Sequence, residues 1–122
     1  MKANELRIGN WVQLLEPIQI KSGRQIDMCE LNYLPIQITH ELLLKNKFIK
    51  EVCFEDEFDC YFELSSEKDS FYCSLYLVFC QNKWWFSDEY DSQVWKTIPA
   101  NGVHSIQNRW YSLTGEELEI VL

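Results

Sequence analysis

The residues that could do chemistry are two histidines, five cysteines, many carboxylates and one polar–aromatic run. The run is VHSIQNRWYSLTGEEL, 103–118. In it, His104, Gln107, Asn108 and Tyr111 stand at i, i+3, i+4 and i+7, which puts all four on one face of a helix. Such a row of donors and acceptors could hold a peptide, a base or a small polar ligand. Asn and Gln can each grip adenine through two hydrogen bonds. The competing reading is that these groups bond to neighbouring loops and fix the helix in place. It carries more weight, because most buried polar side chains are satisfied within the protein.

The cysteines are Cys29, Cys53, Cys60, Cys73 and Cys80. Two pairs share a spacing of seven, which invites a zinc site. Strand parity argues against it: an odd separation puts Cys53 and Cys60 on opposite faces, and likewise Cys73 and Cys80. Four thiolates then fail to converge on a tetrahedral ion. They read as small buried hydrophobes or inert surface thiols, so no metal or cofactor is expected.

Glu51, Glu55, Glu57, Asp59 and Glu63 could take a divalent cation or a basic partner, but a solvated sheet face is the simpler account. The chain has no GxSxG and no P-loop. No spacing selects a Cys–His pair from His40 and His104. Trp84-Trp85 reads as core plus surface rather than a sugar or base platform. Catalysis is therefore disfavoured.

These residues need elements to position them. Val103, Ile106, Trp110 and Leu113 form an apolar stripe beside the polar row, which predicts a helix over 103–113 ended by Gly115 in a left-handed cap. A second helix is predicted after Thr39 as N-cap, with Glu41 in its first turn, Lys45 and Lys47 at its end and Asn46 as a left-handed cap. Leu6 to Leu14 suggests a first strand, interrupted at Gly9-Asn10 by a bulge or bend. Alternation in 17–20 and 25–28 around a Ser-Gly turn predicts a hairpin. Residues 51–64 alternate apolar and acidic, with a bend or turn near 55–57. A polar turn at 65–70 and a central strand at 71–80 follow. Next come a turn at 81–83 and strands from Trp84, at 93–98 and at 118–122. The expected fold is α+β: a curled, mostly antiparallel sheet of six or seven strands, SH3-like in its N-terminal part, with two helices packed on it.

The 122 residues suit one domain over 1–122. A net charge of −8 repels a phosphate backbone, which disfavours nucleic acid and anionic membranes and leaves a basic protein partner open. An odd cysteine count, no CxxC and no apolar leader point to a cytoplasmic protein with reduced thiols.

The opening ELRIGNWV (5–12) and the closing VHSIQNRWYSLTGEELEI (103–120) together resemble a set of small uncharacterised proteins from gut bacteria and their phages or mobile elements. Those proteins pair a start like LRIGN-V with an end like VH-LQN-Y-ALTGEEL. IQITHELLLKNKF (36–48) looks like their middle phrase, I-LTEE-LLK-GF. Here Ser105-Ile106 stands where the family has a residue and Leu, and Arg109-Trp110 departs from its LY. Lys47 replaces the Gly before Phe, which weakens a glycine cap for the helix after Thr39. Residues 51–98 lie outside the likeness. It implies an intact single domain and a phage or mobile-element setting, and it brings no catalytic residue.

The first functional expectation is a non-catalytic protein-interaction module. The alternatives are a nucleic-acid-linked accessory protein presenting the 103–113 helix, and a small enzyme with a polar pocket near His104.

Overall fold

A computed structural model describes residues 5–14, 16–27, 33–52, 60–68, 71–87 and 98–122. The fold is α+β, and the described residues hold seven strands, in two antiparallel sheets, and three helices. The chain forms two compact units: Met1–Ile38 with Asn101–Ile120, and Thr39–Ala100 with Val121–Leu122. Among the described residues no helix is long and apolar enough to cross a membrane.

In the first unit, β1 (Trp11–Gln13) pairs with β2 (Pro17–Gln19), Val12 facing Ile18. The interruption at Gly9-Asn10 is a turn before β1, with Gly9 at φ 99°. Beyond the strands the main chain stays paired, Gly9 N–H donating to Ile20 O and Ile20 N–H to Asn10 O at 2.7 Å each. The hairpin is thus one step earlier than its expected place. Residues 25–27, expected as its second arm, belong to α1 (Gly23–Asp27). The cause is local: Ser22 Oγ accepts from Gln25 N–H at 3.4 Å, and Gln25 Oε1 accepts from Lys21 N–H at 2.6 Å. This S-x-x-Q arrangement satisfies one first-turn helical donor, ties down the Lys21 N–H just ahead of the cap, and overrides a weak alternation. A two-stranded hairpin does not establish the expected SH3-like curl. On the other side of β1, Gln13 and Leu34 exchange two main-chain bonds of 2.8 Å.

α3 (Val103–Thr114) packs against β1. Val103, Ile106 and Trp110 are buried as expected, whereas Leu113, the fourth member of the stripe, is exposed. Gly115 closes the helix at φ 74°, its N–H on Tyr111 O at 2.7 Å. Leu6, Val12, Ile20 and Tyr33 form the core of this unit, with Ile18 and Ile26 against them. The expected strand at 118–122 is not formed. Leu118 O accepts instead from the Gln107 side chain at 3.1 Å.

In the second unit, α2 (His40–Lys45) starts at Thr39, whose Oγ1 accepts from Leu42 N–H at 3.1 Å. Asn46 ends it at φ −101°, so the expected left-handed cap is not there; Lys47 is the left-handed residue, at φ 71°. Asn46 is buried and its side chain clasps the main chain of Val121, donating to O at 2.8 Å and accepting from N–H at 2.7 Å.

The second sheet runs β3 (Ile49–Val52), β4 (Cys60–Lys68), β5 (Phe71–Cys80), β6 (Lys83–Ser87), β7 (Ile98–Pro99), each antiparallel to the next. The alternating 51–64 segment is therefore two strands, with Val52 facing Cys60. Residues 53–59, with Cys53 and the expected bend, lie outside the described residues, as do 93–97 of the expected strand ending at Ile98. In β4 the expected parity holds: Cys60 and Phe62 are buried, Tyr61 and Glu63 half-buried. Ser65 and Ser66, expected in a turn, are strand residues, and Ser65 faces Ser74. The next turn is Gln81-Asn82, at φ 54° and 60°, with Lys83 already in β6. Two left-handed residues make a type I′ turn, whose twist matches the strands it joins.

One sheet face carries Cys60, Phe62, Leu75, Leu77 and Phe86, all buried. His40 of α2 lies against it, its ring 5.4, 5.1 and 5.2 Å from those of Phe62, Phe79 and Trp84. On the other face Tyr61 and Trp85 flank Val78 across the ladder.

Candidate functional site: the polar face of helix α3

Gln107 is 1% exposed, so each polar atom it carries needs a partner. Its Nε2 donates to Gly9 O at 3.0 Å and Leu118 O at 3.1 Å; its Oε1 accepts from Trp11 N–H at 2.9 Å. Both amide hydrogens are taken. The turn at Gly9-Asn10 sets up these partners by breaking the ladder just before β1. Gly9 O also accepts from Gln19 Nε2 at 2.9 Å.

Asn108, half-buried, extends the same network. Its Oδ1 accepts from Arg7 Nη1 at 2.9 Å and Asn10 Nδ2 at 3.0 Å, and its Nδ2 donates to Glu5 O at 2.8 Å. Asn10 is fully buried, and its Oδ1 accepts from Arg7 N–H at 2.7 Å. Arg7 pairs with Glu117, and its guanidinium carbon sits 3.9 Å from the centre of the Tyr111 ring. The Tyr111 ring is thereby part of the network's rim while staying exposed. Gly9 suits the turn because its φ of 99° is one that a side chain rarely adopts.

Of the four residues read from the helix pattern, the structure joins Gln107, Asn108 and Tyr111 in one network with the N-terminal segment. His104 stands apart in the first turn of α3, buried, its Nδ1 3.2 Å from where a Gly102 Cβ would be. Burial pushes its pKa below the ordinary histidine value; the Glu5 carboxylate works against that shift, and the amino terminus adds to it.

Arg7, Asn10 and Glu117 were not singled out as site residues. The signal for them was the pair of phrases at the chain's two ends. ELRIGNWV supplies Arg7, Gly9, Asn10 and Trp11; the closing phrase supplies Gln107, Asn108, Tyr111, Glu117 and Leu118. In this chain the residues of the two phrases complete each other's hydrogen bonds.

The other candidates fall elsewhere. Cys73 and Cys80 end up on opposite faces of β5, and Cys60, Cys73 and Cys80 carry no disulfide. Among the described residues no three His, Cys, Asp or Glu side chains gather as metal ligands would. Glu63 accepts from Ser65 Oγ at 2.8 Å and Ser74 Oγ at 3.2 Å, Glu51 is exposed, and residues 55, 57 and 59 lie outside the described residues. The Trp84 ring lies 4.8 Å from that of Phe79, centre to centre, and is tilted 45° to it. His40 is held below its ordinary pKa by burial and by the Lys50 charge.

No protein-family profile, curated protein or solved structure matches the chain.

Proposed function

We propose that this chain is a small, acidic, non-catalytic protein-interaction module, working in the cytoplasm on a basic protein partner. Its setting is the phage or mobile-element one that its end phrases resemble. The observation that carries this reading is how α3 uses its polar face. The amides of Gln107 and Asn108 bond to residues 5–11 and to Leu118, so they act as fasteners that hold a scaffold together. A base-reading role would ask those same amides to bind nucleobases. What the helix offers outward is the exposed Tyr111, followed by exposed Glu116 and Glu119, with Glu117 held by Arg7. An aromatic beside carboxylates suits a cationic protein surface, since tyrosine is enriched at interfaces and opposite charge steers association.

The test is capture from host lysate with wild type and with Tyr111→Ala/Glu119→Lys, a variant that spares Gln107 and Asn108. The expected result is a stoichiometric basic protein, weakened by salt and lost in the variant. Capture of nucleic acid instead, or of nothing, sinks the reading.

A further inference from the structure

His104 is the second residue of α3 and 5% exposed. Pieces distant in sequence meet around it. Gly102 precedes the helix at φ 135°, and a Cβ there would lie 2.7 Å from Pro35 Cβ and 3.0 Å from Ile36 O. Val103 N–H donates to Ile36 O at 2.9 Å. The segment carrying Pro35 and Ile36 is itself bonded to β1 through Leu34. The imidazole thus sits where the first turn of α3 docks on residues 33–36. Its Nδ1 is buried and has no hydrogen-bond partner among the described residues.

We propose that His104 is an acid-sensitive latch, whose protonation releases the first turn of α3 from the 33–36 segment. A protonated imidazole carries a hydrogen on both ring nitrogens. The Nδ1 hydrogen would then point into protein without an acceptor, and a buried unpaired charge is costly. The helix start, with its partial positive charge, adds to the cost. Around the ring, β1 and residues 33–38 carry no Asp, Glu, Lys or Arg, and their one titratable group is the buried Tyr33 phenol. Glu5 favours the charged ring and the amino terminus disfavours it.

The direction with pH follows from linkage. A released histidine takes its proton near pH 6.5 (about, for an unperturbed ring). The docked ring resists it to lower pH, so the released state binds more protons in between. The latch is therefore complete above that pH and loosens as the pH falls below it.

With only two histidines, each ring can be followed by NMR in the full chain while amide exchange is read across the pH range. The expected result is a His104 ring that titrates below the unperturbed value. Val103 protection, corrected for intrinsic exchange, should fall by up to about tenfold per pH unit through that window, while Leu75 and Leu77 in β5 keep theirs. In His104→Gln the Val103 loss should vanish. The proposal is overturned if His104 titrates at its ordinary value, or if a folded His104→Gln keeps the same pH-dependent loss. Should that variant not fold, the wild type decides: a coincident ring and amide transition supports the latch, and separate transitions overturn it.

Discussion

Gln107 has three partners in main-chain groups of residues 9, 11 and 118. Gln107→Ala would leave the part-buried Trp11 N–H and Leu118 O without these bonds, while Gly9 O keeps Gln19, and each such loss costs about 1–3 kcal/mol. Urea unfolding should show Gln107→Ala losing about 2–3 kcal/mol, and half-exposed Asn108→Ala only about 1 kcal/mol. Equal, negligible losses would show that the network holds nothing. Lys47 makes the opposite case. It takes a left-handed conformation at φ 71°, where a side chain costs about 1 kcal/mol or more. Lys47→Gly should therefore raise stability by about 0.5–1 kcal/mol, seen as a higher urea midpoint at constant m. The placement of Gln107, Asn108 and Tyr111 on one helical face was legible in their spacing. Their partners were not, because bonds spanning 96 to 103 residues leave no periodic trace. Burial of Asn10 was also hidden, since an asparagine after glycine reads as an ordinary turn.

Among the elements, the helices read best. Thr39, Glu41 and Lys45 marked α2, and the apolar stripe with Gly115 marked α3, since caps and a 3.6-residue period are local signals. The short strands were harder. Residues 17–20 and 25–28 alternate alike, yet 17–19 form a strand while 25–27 are helical, because Ser22 and Gln25 supply helical caps. The 51–64 segment kept its two-residue rhythm across a reversal of direction, so parity survived and continuity did not. The long β4–β5 pairing swallowed Ser65 and Ser66, whose polarity had suggested a turn; on its sheet face Ser65 bonds to Glu63 and Ser74. The Gln81-Asn82 turn gives a prediction at this scale. A type I′ turn favours Asn then Gly. Gln81→Asn/Asn82→Gly should stabilise the protein by about 1 kcal/mol in thermal or urea unfolding. No gain would mean that neighbouring packing, not the turn, sets the β5–β6 register.

For the molecule as a whole, the question is how a sheet with an outer strand stays apart from its own copies. Among the described residues nothing pairs with β3 on the side away from β4. Ile49 there is exposed. In an antiparallel pair, facing residues share a sheet face, so two copies of β3 about a two-fold axis must match residues of equal parity. The central pair is then Lys50 on Lys50 or Glu51 on Glu51, and like charges directly opposite repel. The edge is protected by its own sequence. Lys50→Val/Glu51→Val should bring larger species in sedimentation velocity at concentrations where wild type shows none from this edge. An unchanged profile would show that something else guards it.

The lock between residues 5–11 and α3 also sets an order of events. Its bonds close loops of about a hundred residues, and such contacts carry a loop-closure cost before they return anything. The second sheet needs no such closure, since each strand pairs with the next along the chain. On a ribosome, where folding follows synthesis, the meander can form while the first hairpin still lacks its helix. Residues 5–11 are made before the meander and finished after it, and until Gln107 emerges its amide and carbonyl partners must be met by water.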